Sequence, residues 1–186
     1  GTASEESKFN PSSPYAATKA AAELIINSYC VTYGSDVIIT RCTNNYGPRQ
    51  FAEKLIPKTI ILANQNKKIP IYGNGSNIRD WIYVDDHCDA VSLALFKGKE
   101  GQSYNISANN EIDNVTIVKR ILGVMNKSED LIEFVEDRPG HDFRYSMDSK
   151  KITSELGWKT KLSFDKGLEK TIQWYLDNPE IINNLS

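Results

Sequence analysis

Apolar residues recur at helical spacing in several segments, and short β-branched runs separate those segments. The clearest helical face repeats along residues 164–175, and its members are Phe164, Leu168, Thr171, Ile172 and Tyr175. Ser13 followed by Pro14 predicts the start of a helix over residues 14–33, which Gly34 ends. The same criteria predict helices at residues 57–64, 118–125 and 149–156. A further helix is predicted to begin at the capping residues Asp85 and Asp86, and its core face would consist of Val84, Cys88, Val91 and Leu95.

Short apolar runs between these helices predict strands. The runs cover residues 37–40, 69–72, 81–84, 103–107 and 131–135. The first is expected to be buried on both faces and to be followed by a turn at residues 44–48, and a glycine turn is expected at residues 73–75. Helices that alternate with strands predict an α/β fold.

The amino-acid composition excludes several classes of protein. The chain has 186 residues, with 22 Lys and Arg against 24 Asp and Glu, so its net charge of −2 excludes a polybasic protein that binds nucleic acid or anionic lipid. No run of about 18 apolar residues is present, so we expect no membrane segment and a cytoplasmic protein. Cys30, Cys42 and Cys88 are expected to be buried reduced thiols, and the two histidines show no metal-ligand spacing.

One helical turn separates Tyr15 from Lys19. The ammonium group would favour the phenolate and lower the pKa of the tyrosine, which suits an acid or base. Roughly 0.8 such pairs are expected by chance in a chain of this composition, so an ordinary solvated pair is the alternative.

Two arginines and a histidine are candidates for binding a diphosphate. These are Arg79, Arg138 and His141, the last two in an irregular loop that contains Pro and Gly. Surface ion pairs are the alternative. Tyr72 precedes the glycine turn and could stack on a base or a sugar, or it could be a half-buried strand residue.

Three asparagines lie at the ends of predicted strands. These are Asn44, Asn45 and Asn105. Ligands in α/β proteins bind at such ends, although asparagine is also an ordinary turn residue.

Six motifs occur in the order found in nucleotide-sugar 4,6-dehydratases. They are residues 13–19 (SPYAATK), 44–48 (NNYGP), 53–57 (EKLIP), 79–86 (RDWIYVDD), 104–106 (YNI) and 137–142 (DRPGHD). The chain resembles that family, which belongs to the extended short-chain dehydrogenases, from about Ser12 to Pro179. The resemblance implies part of a Rossmann-like parallel sheet together with a smaller mixed α/β substrate-binding domain.

The resemblance also implies a role for each matched position. Tyr15 would be the catalytic base and would also contact NAD. Lys19 would tune Tyr15 in catalysis and hold the nicotinamide ribose of NAD, and Asn45 would lie against the same cofactor. The nucleotide sugar, dTDP-glucose or UDP-glucose, would be bound by Asn44, Lys54, Leu55, Pro70, Ile71, Tyr72, Arg79, Asn105, Arg138 and His141. The complete enzyme would be a homodimer.

Family members also carry a Gly-x-x-Gly-x-x-Gly loop and a Thr-Asp-Glu motif, and neither occurs in these residues. The resemblance therefore implies the C-terminal half of an enzyme, inactive alone and unable to bind NAD properly. We expect a flexible segment at residues 1–12, part of the NAD domain at 13–50, and mainly substrate-binding domain at 51–186, with strands exchanged between the two domains. A UDP-sugar epimerase or decarboxylase, and a non-catalytic binding or assembly module, are the alternatives.

Overall fold

The computed structural model describes residues 1–138, 140 and 142–183, without the side chains of residues 182 and 183. The helices are α1 (Pro14–Tyr33), α2 (Leu55–Asn64), α3 (Val84–Lys97), α4 (Asn114–Val124), α5 (Lys150–Leu156), α6 (Phe164–Asp177) and α7 (Pro179–Asn183). The strands are β1 (Ile39–Cys42), β2 (Asn44–Tyr46), β3 (Ile69–Tyr72), β4 (Ile78–Tyr83), β5 (Ser103–Ile106), β6 (Glu111–Asp113), β7 (Ile132–Val135) and β8 (Arg144–Tyr145).

Parallel pairing dominates the sheets. β1 pairs with β5, β3 pairs with β7, and β2 pairs with β4, each in parallel. β4 also has β6 antiparallel to it and β8 parallel to it. The mixed α/β fold with parallel sheets confirms the predicted fold class.

Three apolar clusters fill the spaces between sheets and helices. The largest joins α2, α4 and α6 to β2 and β4, with Tyr46, Ile117 and Leu168 fully buried within it. A second lies among α3, α5, β4 and β5, and a third packs α2 and α4 against β3. α6 approaches β2 closely, because a Cβ on Gly167 would collide with the hydroxyl group of Tyr46.

Several predicted elements are confirmed by the structure. The helix at residues 14–33 and the strand at residues 69–72 have the predicted bounds, and α6 ends before Asn178. Gly34 takes a left-handed conformation with φ of 63°, as expected for a helix end, and donates its N–H to the carbonyl of Cys30.

Other predicted elements are wrong. Asn44–Tyr46 is a strand and not a turn, and β1 lies two residues later than predicted and is only half-buried. The core stripe of α3 is also wrong: its buried residues are Asp86, Ala90 and Ala94, whereas Leu95 is 70% exposed. Small alanines face the sheet because α3 packs close to it, which leaves the larger side chains outside.

Two further expectations, for the cysteines and for a membrane-spanning segment, can be compared with the structure. Cys30, Cys42 and Cys88 are free, and Cys88 is exposed, so the expectation that all three are buried is wrong. Among the described residues, no helix combines the length and hydropathy needed to cross a lipid bilayer.

Contacts with the rest of the chain hold parts of the N-terminal segment. Ala3 forms a parallel bridge with Met147, and a side-chain oxygen of Glu5 accepts the backbone N–H of Asn105 at 2.8 Å. Phe9 packs against the guanidinium of Arg41 at 5.3 Å. The domain bounds expected from the sequence, and the flexibility of residues 1–12, stay predictions.

Candidate functional site

Tyr15 and Lys19 lie on the exposed side of the first two turns of α1. Ser13 caps this helix, since its Oγ accepts the N–H of Ala16 at 3.2 Å, and Pro14 follows at the first helical position. Tyr15 is 73% exposed. A phenol and an ammonium group are therefore both open to a ligand at the start of the same helix.

The start of α1 lies beside the ends of β1 and β2. The charge of Lys19 reaches the thiol of Cys42, and Asn45 donates its Nδ2 hydrogen to Cys42 Sγ at 3.3 Å. The carbonyl oxygen of the Asn45 side chain is buried and finds no hydrogen-bond partner among the described residues. Lys19 and Asn45, both predicted to touch the cofactor, are thus brought together around Cys42.

Cys42 itself is not an activated nucleophile. Burial raises the pKa of its thiol, and the hydrogen bond from Asn45 and the charge of Lys19 only partly oppose this effect. A protonated thiol is a poor nucleophile. Cys42 is therefore a neutral neighbour of the Tyr15 and Lys19 pair.

A second group of predicted residues meets at the ends of β3 and β4. The guanidinium of Arg138 lies 4.5 Å from the ring centroid of Tyr72, which is partly exposed. Partial burial lowers the pKa of Arg79, the Asp142 carboxylate opposes this effect, and the charge of Arg138 adds to it. Two cations and an aromatic ring therefore converge.

Backbone carbonyls fix the direction of the Arg79 side chain. Its guanidinium donates to the carbonyl of Asp142 at 2.7 Å and to that of Ile78 at 2.7 Å. The turn beside it needs glycine: Gly75 has φ of 74°, and a Cβ there would lie 2.8 Å from the side chain of Ile71. The predicted glycine turn therefore packs tightly against the side chains of Ile71 and Val115.

Asp142 connects the two groups of residues. Ser12, two residues before the start of α1, donates its hydroxyl to a carboxylate oxygen of Asp142 at 3.0 Å, while the Asp142 carbonyl accepts from Arg79. The start of α1 and the group formed by Arg79, Arg138 and Tyr72 are thus neighbours. They form one candidate site.

The remaining predicted residues are placed as follows. Asn44 pairs with Trp81 in the β2–β4 ladder, Lys54 is exposed before α2, and Pro70 pairs with Glu133. Leu55 packs on the core and Ile71 is fully buried in it. His141 lies outside the described residues.

Asn105 lies under the N-terminal segment. Its side-chain nitrogen donates to the carbonyl of Ala3 at 3.3 Å, and its backbone N–H donates to Glu5. The role of Asn105 with the nucleotide sugar stays a prediction.

The short strand β8 was not predicted. It contributes Tyr145 beside Arg79, and two residues are too few to give a periodic signal in the sequence. Arg144, the other residue of β8, forms two hydrogen bonds to the carboxylate of Glu111 at 2.6 and 2.7 Å. Ser146 donates its hydroxyl to the same carboxylate at 2.7 Å.

These contacts predict a pH-dependent contribution to stability. The hydrogen bonds from Arg144 and Ser146 lower the pKa of Glu111 from 4.5 to about 2. A carboxylate with a lowered folded-state pKa stabilises the fold above its ordinary pKa, and this effect is lost as the pH falls through the folded-state value.

We therefore expect Glu111→Gln to lower the melting temperature at pH 7, by a difference that shrinks between pH 4.5 and pH 2. Thermal unfolding followed by circular dichroism across this range measures it, and Glu133→Gln, an exposed glutamate of β7, is the matched control. A difference that stays constant with pH would contradict the assigned contact.

Asp80, which follows Arg79 in β4, is fully buried and organises the next loop. Its carboxylate accepts the hydroxyl of Ser107, the N–H of Asn109 at 3.1 Å and the N–H of Asn110 at 3.1 Å. The hydroxyl of Ser107 is thereby satisfied within the core, and the two backbone N–H groups are satisfied in the partly buried loop between β5 and β6. The aspartate of the RDW motif is thus structural, which its place in the motif did not reveal.

Among the described residues, no three His, Cys, Asp or Glu side chains are grouped so that they could hold a metal ion. The reactive groups of the candidate site are an exposed tyrosine and lysine pair, two converging guanidinium groups and an aromatic ring. Together they suit an anionic ligand that also presents a group for proton transfer.

Comparison with known proteins supports this reading. A family model described as GDP-mannose 4,6 dehydratase matches residues 1–171. A probable dTDP-glucose 4,6-dehydratase of Sinorhizobium fredii is 48% identical over 185 residues, which cover 96% of this chain and 53% of the relative. The chain spans about half the length of the curated relatives it matches.

Solved structures give the same result. A dTDP-glucose 4,6-dehydratase from Bacillus anthracis, in complex with NAD, is 45% identical with a TM-score of 0.96, over 100% of this chain and 59% of that chain. DesIV, a dTDP-glucose 4,6-dehydratase from Streptomyces venezuelae with NAD bound, is 41% identical with a TM-score of 0.97. This match covers 100% of this chain and 58% of the DesIV chain.

Proposed function

Because the chain belongs to the GDP-mannose 4,6 dehydratase family, we propose that it forms the sugar-nucleotide-binding part of an NAD-dependent dTDP-glucose 4,6-dehydratase. It also carries the tyrosine that accepts the proton of the substrate. The observation that carries this proposal is the convergence of Arg79, Arg138 and Tyr72 beside the helix that presents Tyr15 and Lys19. The names of the relatives support the choice of substrate.

The diphosphate of the nucleotide sugar binds to the two guanidinium groups. Arg79 is already fixed by backbone carbonyls, so less conformational entropy is lost when phosphate oxygens bind. The base stacks on Tyr72. Since the guanidinium of Arg138 lies over this ring, the base either takes the opposite face of the ring or displaces Arg138 toward the diphosphate.

Proton transfer belongs to Tyr15. Its phenolate takes the proton of the sugar 4-hydroxyl, and the ammonium group of Lys19 one turn away stabilises that negative charge. The hydride from C4 would be taken up by bound NAD and returned to C6, with loss of water across C5 and C6 between the two steps, to give the 4-keto-6-deoxy sugar. The exposed position of Tyr15 leaves room for the hexose.

Residues of this chain also fit one end of NAD, the cofactor that accepts and returns the reducing electrons when it is bound. Lys19 and Asn45 would hold the nicotinamide end, since they lie together beside Cys42. The buried, unpartnered Oδ1 of Asn45 is an acceptor that a bound group could satisfy. The described residues thus fit a partial cofactor site.

We also infer that the complete protein is a cytoplasmic homodimer. The support is the large apolar surface of α1, which the rest of this chain leaves open: Leu24, Ile25, Tyr29, Val31 and Tyr33 are all more than half exposed. An apolar surface of this kind is typical of a helix that packs against another chain or domain.

Binding of dTDP tests the proposed function. We expect Arg79→Ala to raise the dissociation constant of dTDP at least about tenfold, because a charge-assisted bidentate contact contributes about 1.5–3 kcal/mol. Isothermal titration calorimetry measures this constant.

Arg120→Ala is the matched control, since that arginine pairs with Asp165 on the exposed surface of α4 and α6. The control should bind dTDP as the unmodified chain does. Equal binding of dTDP by Arg79→Ala would exclude Arg79 from the diphosphate site, and no binding by any form would overturn the proposed function.

A further inference from the structure

Glu23 continues the face of α1 that presents Tyr15 and Lys19. The three residues follow one another at intervals of four, so each lies about one helical turn after the one before it. A carboxylate one turn from an ammonium group attracts it. Glu23 would therefore compete with the phenolate of Tyr15 for the charge of Lys19, unless another cation binds the carboxylate.

Arg41 binds the carboxylate of Glu23 from the sheet. Its Nε donates to the two carboxylate oxygens at 3.0 and 2.9 Å, and its Nη2 donates to one of them at 2.7 Å. The two side chains are only 20% and 17% exposed, so salt and solvent screen their attraction less than at an open surface. The negative charge of Glu23 is thus neutralised by Arg41.

Arg41 is itself held in place. It lies in β1, where it pairs with Asn105 of β5. Its Nη1 donates to the carbonyl of Glu5 at 3.2 Å, and the ring of Phe9 lies 5.3 Å from the guanidinium carbon. Every nitrogen of the guanidinium therefore has a partner, and the ion pair fixes the middle of α1 on the sheet.

The charges of this ion pair reach the candidate site. Burial raises the pKa of the Tyr145 phenol, and Cys42 and Tyr15 add to the rise. On the same phenol the charge of Arg41 lowers the pKa and the charge of Glu23 raises it. The ion pair and Tyr15 therefore lie around one point of the site, where Arg41 and Glu23 act with opposite signs.

Charged and titratable groups surround Tyr15 from α1, β1, β8 and the loop before β8. They are Lys19, Glu23, Arg41, Cys42, Tyr145 and Asp142. Cys42 and Tyr145 are neutral at pH 7, because burial raises the pKa of each. Farther out, Glu5 accepts the N–H of Asn105 and Arg79 donates to the carbonyl of Asp142. The charges nearest to Lys19 along its own helix face are those of the ion pair.

We propose that Arg41 and Glu23 are positioning residues that set the charge beside Tyr15 and Lys19, an inference that rests on the proposed function. Because Arg41 holds the carboxylate of Glu23, the ammonium group of Lys19 stays with the phenolate and with the cofactor. Without Arg41, the carboxylate would attract Lys19 from the next turn and oppose the negative charge on Tyr15.

The pH dependence of kcat for dTDP-glucose tests this role, in the protein expressed from the whole gene that encodes this chain. A base must lose its proton before it can act, so kcat should rise with pH. We expect Arg41→Met to raise the midpoint of this rise by about half a pH unit, because a cation about 12 Å away favours the phenolate by that amount. Glu23→Gln removes an anion and should lower the midpoint by a similar amount. The double variant should restore it.

Opposite shifts distinguish an effect of charge from a structural role, because both single variants break the same ion pair. Arg120→Met is the matched control, since it breaks the ion pair with Asp165 on α4 and α6 and should leave the midpoint unchanged. Shifts of the same sign, unshifted midpoints, or a double variant that stays displaced would overturn the inference. If Arg41→Met does not fold, the direction of the shift in Glu23→Gln decides alone.

The unmodified protein separates this inference from the proposed function. If it forms no 4-keto-6-deoxy sugar from dTDP-glucose, the proposed function fails and the inference fails with it. Normal turnover together with unshifted midpoints in Arg41→Met and Glu23→Gln rejects the inference alone.

Discussion

Replacing Tyr15 by phenylalanine is expected to lower kcat for dTDP-glucose at least about 100-fold. The experiment uses the protein expressed from the whole gene that encodes this chain. General-base catalysis contributes about 10²–10⁴ to a rate, and Tyr15→Phe removes the group proposed to accept the proton. Since Tyr15 is exposed, the substitution should leave the fold intact. Formation of the 4-keto-6-deoxy sugar from dTDP-glucose, followed over time, measures kcat.

The partner residue provides a further check. Lys19→Met should reduce kcat by a similar factor, and the double variant should be little worse than either single variant, because two residues that act as one unit are not additive. Lys97→Met, at an exposed lysine of the last turn of α3, is the control and should retain full turnover. Near-normal turnover in Tyr15→Phe would show that the pair is an ordinary solvated one.

Replacing Asp80 by alanine is expected to lower the free energy of unfolding by at least about 2 kcal/mol. Its buried carboxylate accepts three hydrogen bonds, and the one from Ser107 is fully buried, so its loss leaves a buried donor without a partner at a cost of about 1–3 kcal/mol. The truncation also leaves a cavity in the core. Urea denaturation followed by circular dichroism measures the loss.

Two variants distinguish the hydrogen bonds from a general effect of charge. Asp80→Asn keeps the shape and one acceptor, so it should cost less than alanine. Asp36→Ala removes an exposed carboxylate before β1 and should change the stability little. A stability of Asp80→Ala within about 0.5 kcal/mol of the unmodified chain would contradict the role of this network.

Local signals explain why some elements could be predicted from the sequence. α1 has a serine cap, a proline at its first position and a left-handed glycine at its end, and all three act within a few residues. The apolar face of α6 repeats over three turns, so its period was clear. The bounds of these helices follow from interactions within the helix.

Tertiary packing explains the elements that could not be predicted. β2, β6 and β8 have two or three residues each and exist because β4 lies beside them. The buried side of α3 is set by close approach to the sheet, which selects Ala90 and Ala94 over the larger Leu95. Hydrophobicity alone could not reveal either effect.

The candidate site was partly predictable for the same reasons. Matched motifs pointed to Tyr15, Lys19, Asn45, Tyr72 and Arg79 before any geometry was known, and the structure brings these residues into two adjacent groups. Tyr145 carries no motif, and its place depends on a ladder between distant segments.

The parallel ladders also determine when the sheets can form as the chain is synthesised. Ile39 pairs with Ser103, and Ile69 pairs with Ile132, so each ladder waits for a strand that leaves the ribosome long after its partner. A high contact order of this kind slows folding, because the entropic cost of closing a long loop comes before the contacts that offset it. Meanwhile the early strands offer unpaired edges to other nascent chains. Chaperone dependence during expression is the expected consequence of this topology.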